Sequence, residues 1–409
     1  MEEKGAAMSD TINDTPRSGR LHIGIYGRRN AGKSSLINAV TGHRTAIVSE
    51  TAGTTTDPVY KSMEIHGLGP CVLIDTAGFD DSGTMGELRV EKTKEALEKT
   101  DIAMLVLSGG GDLSLEKAWT DAFRARKTPF VIVLNKVDGL DDAAVEKLSA
   151  HVQDVLGRRP VAVSAREGTN MDGLKEALLR LVPADWGKMN LTGSLCGEGD
   201  VVMLVMPQDI QAPQGRLILP QVQVTRELLD KKCIIASCTA DKVSQTLKAL
   251  SAPPHLIITD SQVFGEVWKL KPGPSMLTSF SILMAGYKGD IEAFIRGAES
   301  IDRLTPHSRV LIAEACTHAP LAEDIGRVKI PRILRKRFGE TLDITMVSGT
   351  DFPADLTPYD LVIHCGACMF NRTYMMSRVR RAAEQGVPLC NYGVALAKLT
   401  GILDKVVHA

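Results

Sequence analysis

Aromatic residues are scarce in this 409-residue chain, at 4%. That scarcity weighs against a reader of single-stranded RNA, because base-stacking platforms are built from aromatic rings. Positive charge is not in excess either: 48 Lys and Arg face 49 Asp and Glu, for a formal net charge of −1. General nucleic-acid binding needs clustered cations that displace counterions, so no nucleic-acid partner is expected. No uncharged apolar run reaches the roughly 18 residues of a spanning helix, so no membrane partner is expected. Residues 1–20 are polar, lack the apolar core of a secretory signal and read as a disordered tail of a cytoplasmic protein. Eight cysteines are too few for a disulfide scaffold. In a reducing compartment a Cys-x-x-Cys is more often metal-binding or redox-active.

What is present suffices for two or three domains. From residue 21 to 183, apolar strands (21–26, 72–74, 104–107, 130–134, 160–163) alternate with helical stretches. Such alternation predicts a mostly parallel sheet wrapped by helices. A Pro- and Gly-containing linker at 183–187 opens a second, small α/β unit, 184–271, with strands at 201–206, 234–237 and 255–259. Lys271-Pro-Gly-Pro274 marks the next break. Beyond it, 272–409 reads as a doubly wound α/β unit with strands at 309–314, 341–346, 361–364 and 388–391, and its clearest helices at 331–338 and 371–385.

The first unit carries a phosphate-binding loop, Gly27-Arg28-Arg29-Asn30-Ala31-Gly32-Lys33-Ser34, followed by Ser35 and a helix. Its glycines let backbone N–H groups curl around a β-phosphate, Lys33 reaches the β- and γ-phosphates, and the Ser34 hydroxyl can ligate Mg²⁺. The helix N-terminus adds positive dipole there. This loop alone specifies a nucleoside triphosphatase but not the base. Asp75-Thr-Ala-Gly78 places a carboxylate near Mg²⁺ and a flexible glycine N–H near the γ-phosphate. In Asn135-Lys136-Val-Asp138, the Asp138 carboxylate can accept from guanine N1 and N2, donors that adenine lacks. Ser164-Ala165-Arg166 supplies backbone contacts to the guanine oxygen. The four segments occur in order at strand ends, and GTP is the expected ligand.

This series resembles the translation-factor-related GTPases, especially the potassium-dependent branch that includes the tRNA-modification GTPase. The resemblance implies that Thr55 ligates Mg²⁺ through its hydroxyl, and that Asn30, Ser49, Thr51 and Thr54 line a K⁺ ion. Phe79 stands where Ras-like proteins place the water-positioning glutamine, and an apolar side chain cannot orient water. Hydrolysis then relies on Lys33, Thr55, K⁺ and an acid such as Glu87 acting through water, and slow, switch-like turnover is expected. The plain alternative for Glu87 is an exposed carboxylate at a helix start.

Cys316-Thr-His318 and His364-Cys365-Gly-Ala-Cys368 lie at the carboxyl ends of expected strands, where ligands bind open sheets. A nearby helix start should lower the Cys368 pKa. Three readings stay open on spacing alone: buried thiols, zinc on three Cys and one His, or an iron–sulfur cluster on three cysteines. An all-cysteine cluster would need a distant fourth ligand such as Cys390. The run Arg327, Lys329, Arg332, Arg335, Lys336, Arg337 reads as a solvated helix face or as a docking surface for an anionic partner. Cys71, Cys196, Cys233 and Cys238 read as core or loop residues.

A GTPase domain, a motif-poor middle and C-x-H…H-C-x-x-C together resemble the maturation GTPases of iron-only (FeFe) hydrogenases, from residue 21 to the C-terminus. The resemblance implies a 4Fe–4S cluster on Cys316, Cys365 and Cys368, with His318 or His364 as a possible fourth ligand. It also implies a middle domain that dimerises, with a tetramer as the larger assembly. A di-iron cargo would be passed to apo FeFe-hydrogenase, with radical-SAM maturases as further partners. Two other functions stay open: a potassium-dependent GTPase of ribosome or tRNA maturation with a zinc-binding C-terminal domain, and a cluster enzyme with GTP as allosteric ligand.

Overall fold

Among the described residues of this computed structural model, fourteen strands build three separate sheets. The structure describes residues 17–41, 58–65, 67–78, 84–183, 186–187, 190–207, 217–315, 325–367 and 369–409, without the side chains of 17 and 84–89. The chain divides into two units, Met1–Gly187 and Lys188–Ala409.

The first unit holds β1 (Leu21–Gly27), β2 (Val59–Ile65), β3 (Gly69–Asp75), β4 (Ile102–Leu107), β5 (Phe130–Leu134) and β6 (Val161–Ala162). Their order is β2-β3-β1-β4-β5-β6, with β2 antiparallel to β3 and every other pair parallel. β1, β4 and β5 are buried along their whole length, which is why they read as unbroken apolar runs. β2 is mostly exposed, and from Ser62 to Ile65 it alternates polar with apolar side chains, as an edge strand with one wet face does. It escapes a search for continuous apolar runs for that reason. Helix Ser114–Ala125 buries Trp119, Thr120 and Phe123 against one side of the sheet. Full burial of one Phe side chain is worth about 1.5–3 kcal/mol. Asp141 caps helix Asp142–Leu156 by accepting from Ala144 N at 2.8 Å, and Gly157 ends it in the left-handed region at φ 73°.

The second unit contains two four-stranded parallel sheets. One runs β10-β9-β7-β8, from β7 (Val201–Val205), β8 (Ile234–Cys238), β9 (Leu256–Thr259) and β10 (Met276–Ser279). The other runs β12-β11-β13-β14, from β11 (Arg309–Glu314), β12 (Asp343–Ser348), β13 (Leu361–His364) and β14 (Leu389–Asn391). β10 lies beyond Lys271-Pro-Gly-Pro274, so the sheet of the middle region continues past the break expected there. Four residues after a Pro-Gly-Pro turn give too little periodicity to register as a strand.

Met203, Ile257 and Leu277 of the first of these sheets share one apolar core with Val310, Ile312 and Leu361 of the other. Helix Ile291–Glu299 packs on β14 so closely that a Cβ at Gly297 would lie 2.1 Å from Leu389 O. No helix among the described residues is long and apolar enough to cross a membrane.

In the last sheet, β11 connects outward to β12 while β13 connects the opposite way to β14. The chain direction therefore splits between neighbours β11 and β13. A split of that kind opens a crevice at the carboxyl edge, the usual ligand position of an open α/β sheet. Cys316 and Cys365 follow these two strands.

Candidate nucleotide and metal sites

β1 delivers the phosphate loop and helix Lys33–Thr41 receives it. The Lys33 ammonium is buried and donates to Gly27 O at 2.9 Å and Arg28 O at 3.0 Å, so it points into the concavity of its own loop. Gly32 has φ +91°, and a Cβ there would lie 2.3 Å from Asn135 Nδ2. Asn30 is also left-handed, at φ 62°. Ser34 Oγ donates to Asp75 Oδ2 at 2.9 Å, which joins the two expected Mg²⁺ ligands across the site. Burial pushes the Asp75 carboxyl up from its ordinary range, against the Ser34 hydrogen bond and the Lys33 charge. A divalent cation would offset that burial, so this pair fits Mg²⁺.

The base-recognition segments are brought to the same edge. Asn135 is buried and ties two loops together: its Nδ2 donates to Ala31 O at 3.0 Å and its Oδ1 accepts from Ala165 N at 3.0 Å. Lys136, left-handed at φ 66°, donates from Nζ to Asn30 O at 2.6 Å. Asp138 is exposed, and Ser164 Oγ donates to its Oδ1 at 2.7 Å. That hydrogen bond, the largest of several influences, holds the carboxyl below its ordinary range. Asp138 is thus ionised and oriented as an acceptor.

One contact of this loop was not visible in the motif. Arg28 turns its side chain to the buried Glu116 of helix Ser114–Ala125, with Nε 2.6 Å from Oε1 and Nη2 3.0 Å from Oε2. The Arg28 guanidinium is thus tied to this helix through Nε and Nη2. Gly78 is described, whereas Ser49, Thr51, Thr54, Thr55 and Phe79 lie outside the described residues. Glu87 falls in helix Thr84–Glu98, but its side chain is outside the description.

Cys316, His318 and Cys368 lie outside the described residues as well, and among the described residues no three His, Cys, Asp or Glu converge on a metal. Cys365 follows β13 at the split edge. Its Sγ accepts from Ala315 N at 2.9 Å and from Ala367 N at 3.5 Å. Two backbone N–H groups aimed at sulfur favour the thiolate, the form that binds metal, so this residue fits a ligand role. Ala367 is itself left-handed, at φ 49°.

His364 is fully buried. Its Nδ1 is 2.8 Å from Cys365 O, so it donates there, and its Nε2 accepts from Arg378 Nη1 at 2.7 Å. Burial, reinforced by the Arg378 charge, pushes the ring pKa down to about 3, leaving a neutral imidazole. Cys390 sits on β14 opposite Ile363, fully buried, and burial pushes its thiol well above the usual range. In the basic run, Arg327 pairs with Glu314 at 3.0 Å and Arg337 with Asp302 at 2.8 Å. Cys71, Cys196 and Cys233 are buried and Cys238 half-buried.

Residues 191–289 match the hydrogen maturase F dimerization domain and residues 292–409 the hydrogen maturase F tetramerization domain. Residues 22–136 match a domain described as 50S ribosome-binding GTPase. The tRNA modification GTPase MnmE of Heliobacterium modesticaldum is 38% identical over 166 residues, 40% of this chain and 34% of that protein. GTPase Der of Wolinella succinogenes is 38% identical over 183 residues, 42% of this chain and 37% of that protein. The chain thus spans only 34% and 37% of the length of these two relatives. Among solved structures, Aquifex aeolicus Era bound to GDP·AlF4⁻ superposes at a TM-score of 0.37 and 19% identity, over 62% of this chain and 99% of that one. With a GTPase domain similar to that of the tRNA modification GTPases followed by both hydrogen maturase F domains, the chain belongs to the hydrogen maturase F family.

Proposed function

We propose that this chain is a GTP-regulated scaffold of FeFe-hydrogenase maturation that holds a 4Fe–4S cluster and delivers a di-iron precursor to apo-hydrogenase. The observation that carries this reading is the Cys365 sulfur, with two N–H groups aimed at it, at the split edge of the last sheet. Cys316, Cys365 and Cys368 would hold the cluster, which supplies, when bound, an anionic redox centre with one corner free of cysteine. That corner is where cargo would dock. The Ala315 and Ala367 N–H groups would fix the direction of the Cys365 sulfur toward the cluster.

On the nucleotide side, Asp138 selects guanine, while Ser34, Thr55 and Asp75 would hold Mg²⁺. Asn30, Ser49, Thr51 and Thr54 would line K⁺, and Glu87 would act on water. The middle domain, matched at 191–289, would pair subunits into a dimer, and the domain matched at 292–409 would extend the pairing to a tetramer and bind the cluster, in a cytoplasmic protein. Radical-SAM maturases are its further partners. Loss of GTP hydrolysis in a Glu87→Ala variant would support that residue's role, and an unchanged rate would end it.

The test of the whole reading is anaerobic purification and metal analysis, followed by transfer assays to apo-hydrogenase. A brown protein with about four irons per chain supports it. A colourless protein with a single zinc supports a second reading, a GTPase of tRNA or ribosome maturation, which the names of the relatives of residues 22–136 favour. Dissociation constants of the maturases and hydrogenase with GTP, GDP and no nucleotide then test the switch. Equal values in all three states would remove it.

A further inference from the structure

Arg378 is among the most deeply buried side chains of the molecule, at 1% exposure. It stands on helix Arg372–Glu384, which starts directly after the Cys365-Gly-Ala-Cys368 loop and is capped by Asn371 accepting from Tyr374 N at 3.2 Å. Its guanidinium lies at the carboxyl edge of the last sheet, donating to His364 Nε2 at the end of β13 and, at 2.6 Å, to Gly349 O just after β12. A third bond reaches Tyr374 Oη at 3.0 Å. Three rings surround it, Phe352 at 4.7 Å, Phe370 at 5.1 Å and Tyr374 at 4.7 Å from the guanidinium carbon. No carboxylate among the described residues pairs with it, and its Nε has no hydrogen-bond acceptor there.

A permanent cation in an aromatic cage with no acid beside it is a charge that the fold has buried without a counter-ion. Fold stability alone would be served as well by an apolar side chain. An anion bound at the same edge supplies the missing partner, and Cys365, the candidate thiol ligand there among the described residues, directly follows the His364 that Arg378 touches. Three thiolates on a dicationic iron–sulfur core leave a net negative group, and one-electron reduction makes it more so. A fixed positive charge nearby in a low dielectric favours the reduced form.

The same guanidinium decides what His364 can do. It occupies the Nε2 lone pair, and Cys365 O takes the Nδ1 proton. An imidazole needs a free ring lone pair to bind metal. We propose that Arg378 is the positioning and charge-setting residue of the cluster site. Acting across His364, it keeps that ring out of the ligand set as a strut under the Cys365 carbonyl, and it raises the reduction potential of the iron–sulfur group. This inference rests on the cluster reading above.

The test compares wild-type full-length protein with the Arg378→Met, Arg378→Lys and His364→Gln variants, each reconstituted anaerobically with iron and sulfide. Reduction potential is read by EPR-monitored titration, and nitrogen coupling to the reduced cluster by pulsed EPR. The expected result is a more negative potential in Arg378→Met and recovery toward the wild-type value in Arg378→Lys. No directly bound imidazole nitrogen that disappears in His364→Gln should be seen. An unchanged potential in Arg378→Met, or equal shifts in the Met and Lys variants, would overturn the charge role. A strong nitrogen coupling in the wild type that is lost in His364→Gln would overturn the strut role, and it needs no Arg378 variant to fold. Failure of the wild type to take up iron would instead sink the cluster reading itself.

Discussion

Arg28 and Glu116 are joined in a two-pronged contact along one guanidinium edge, Nε to Oε1 at 2.6 Å and Nη2 to Oε2 at 3.0 Å, and the Glu116 side chain is only 3% exposed. The pair fastens the phosphate loop to helix Ser114–Ala125, a connection between segments 88 residues apart. Removing the cation strands a buried carboxylate, whereas removing both partners leaves no orphan charge. Arg28→Ala is therefore expected to destabilise the GTPase unit by about 1–3 kcal/mol, and Glu116→Ala in the Arg28→Ala background to return part of that. Thermal unfolding of the full chain, following the transition that GTP shifts upward, measures the cycle. Strict additivity of the two single variants would show that the fork carries no coupling energy.

Asp138 is held by Ser164 as an ionised acceptor, the charge on which the proposed guanine recognition relies. Asp138→Asn exchanges an acceptor for a donor at the position that would meet guanine N1 and N2. GTP affinity should fall about 10- to 150-fold, the worth of a hydrogen bond to a charged group. Xanthosine triphosphate, whose C2 carbonyl accepts what the amide donates, should bind better than GTP. Competitive titration with a fluorescent nucleotide checks both changes. GTP binding at wild-type strength would place guanine selection elsewhere.

The nucleotide site was legible in the sequence because its chemistry is local: each segment is a short motif at a strand end, and spacing alone puts Lys33, Asp75 and Asn135 at one edge. Arg28–Glu116 was not, since the loop motif leaves position 28 unspecified, Glu116 belongs to no motif, and only the helix packing brings them together. The middle sheet lost its β10 strand to the Pro-Gly-Pro turn before it. At the cysteine site, the split between β11 and β13 agrees with strand ends read from apolar runs. Arg378 was invisible: a basic residue in a helix rich in Arg looks like a solvated one until three rings are found around it. The partners of the His364 ring were equally out of reach, because spacing reports neighbours in sequence and not what the two ring nitrogens meet.

Cys365 and Cys390 should separate cleanly. Cys390 is fully buried on β14 with its thiol pushed up by burial, whereas the Cys365 sulfur receives two backbone N–H groups. Cys390→Ala should leave metal content unchanged and cost about 1–3 kcal/mol from lost packing. Cys365→Ala should abolish metal uptake with little change in nucleotide binding. Metal analysis with parallel nucleotide titration reads both. Metal lost in Cys390→Ala from a folded protein would make that thiol a ligand after all.

Glu227 should set part of the acid limb of stability in the second unit. Its carboxylate is buried and accepts from Leu191 N at 2.6 Å, Thr192 N at 2.8 Å and Thr192 Oγ1 at 2.6 Å, with Lys231 Nζ at 3.2 Å. Burial pushes its pKa up, but the Thr192, Leu191 and Lys231 bonds together outweigh it and the net shift is downward. A carboxylate whose folded pKa lies below its unfolded value stabilises the fold fully above the unfolded pKa of about 4.3. That contribution fades as pH falls through this value and on through the lower folded one, because the unfolded chain takes up the proton first. Glu227→Gln keeps the size but presents an amide N–H₂ to donors that need an acceptor. It should cost about 1–3 kcal/mol near neutral pH and flatten the loss of stability below about pH 4.3. Thermal unfolding of wild type and variant across that range is the measurement. Parallel curves, with the same loss of stability on acidification in both proteins, would show that this carboxylate does not carry the acid limb.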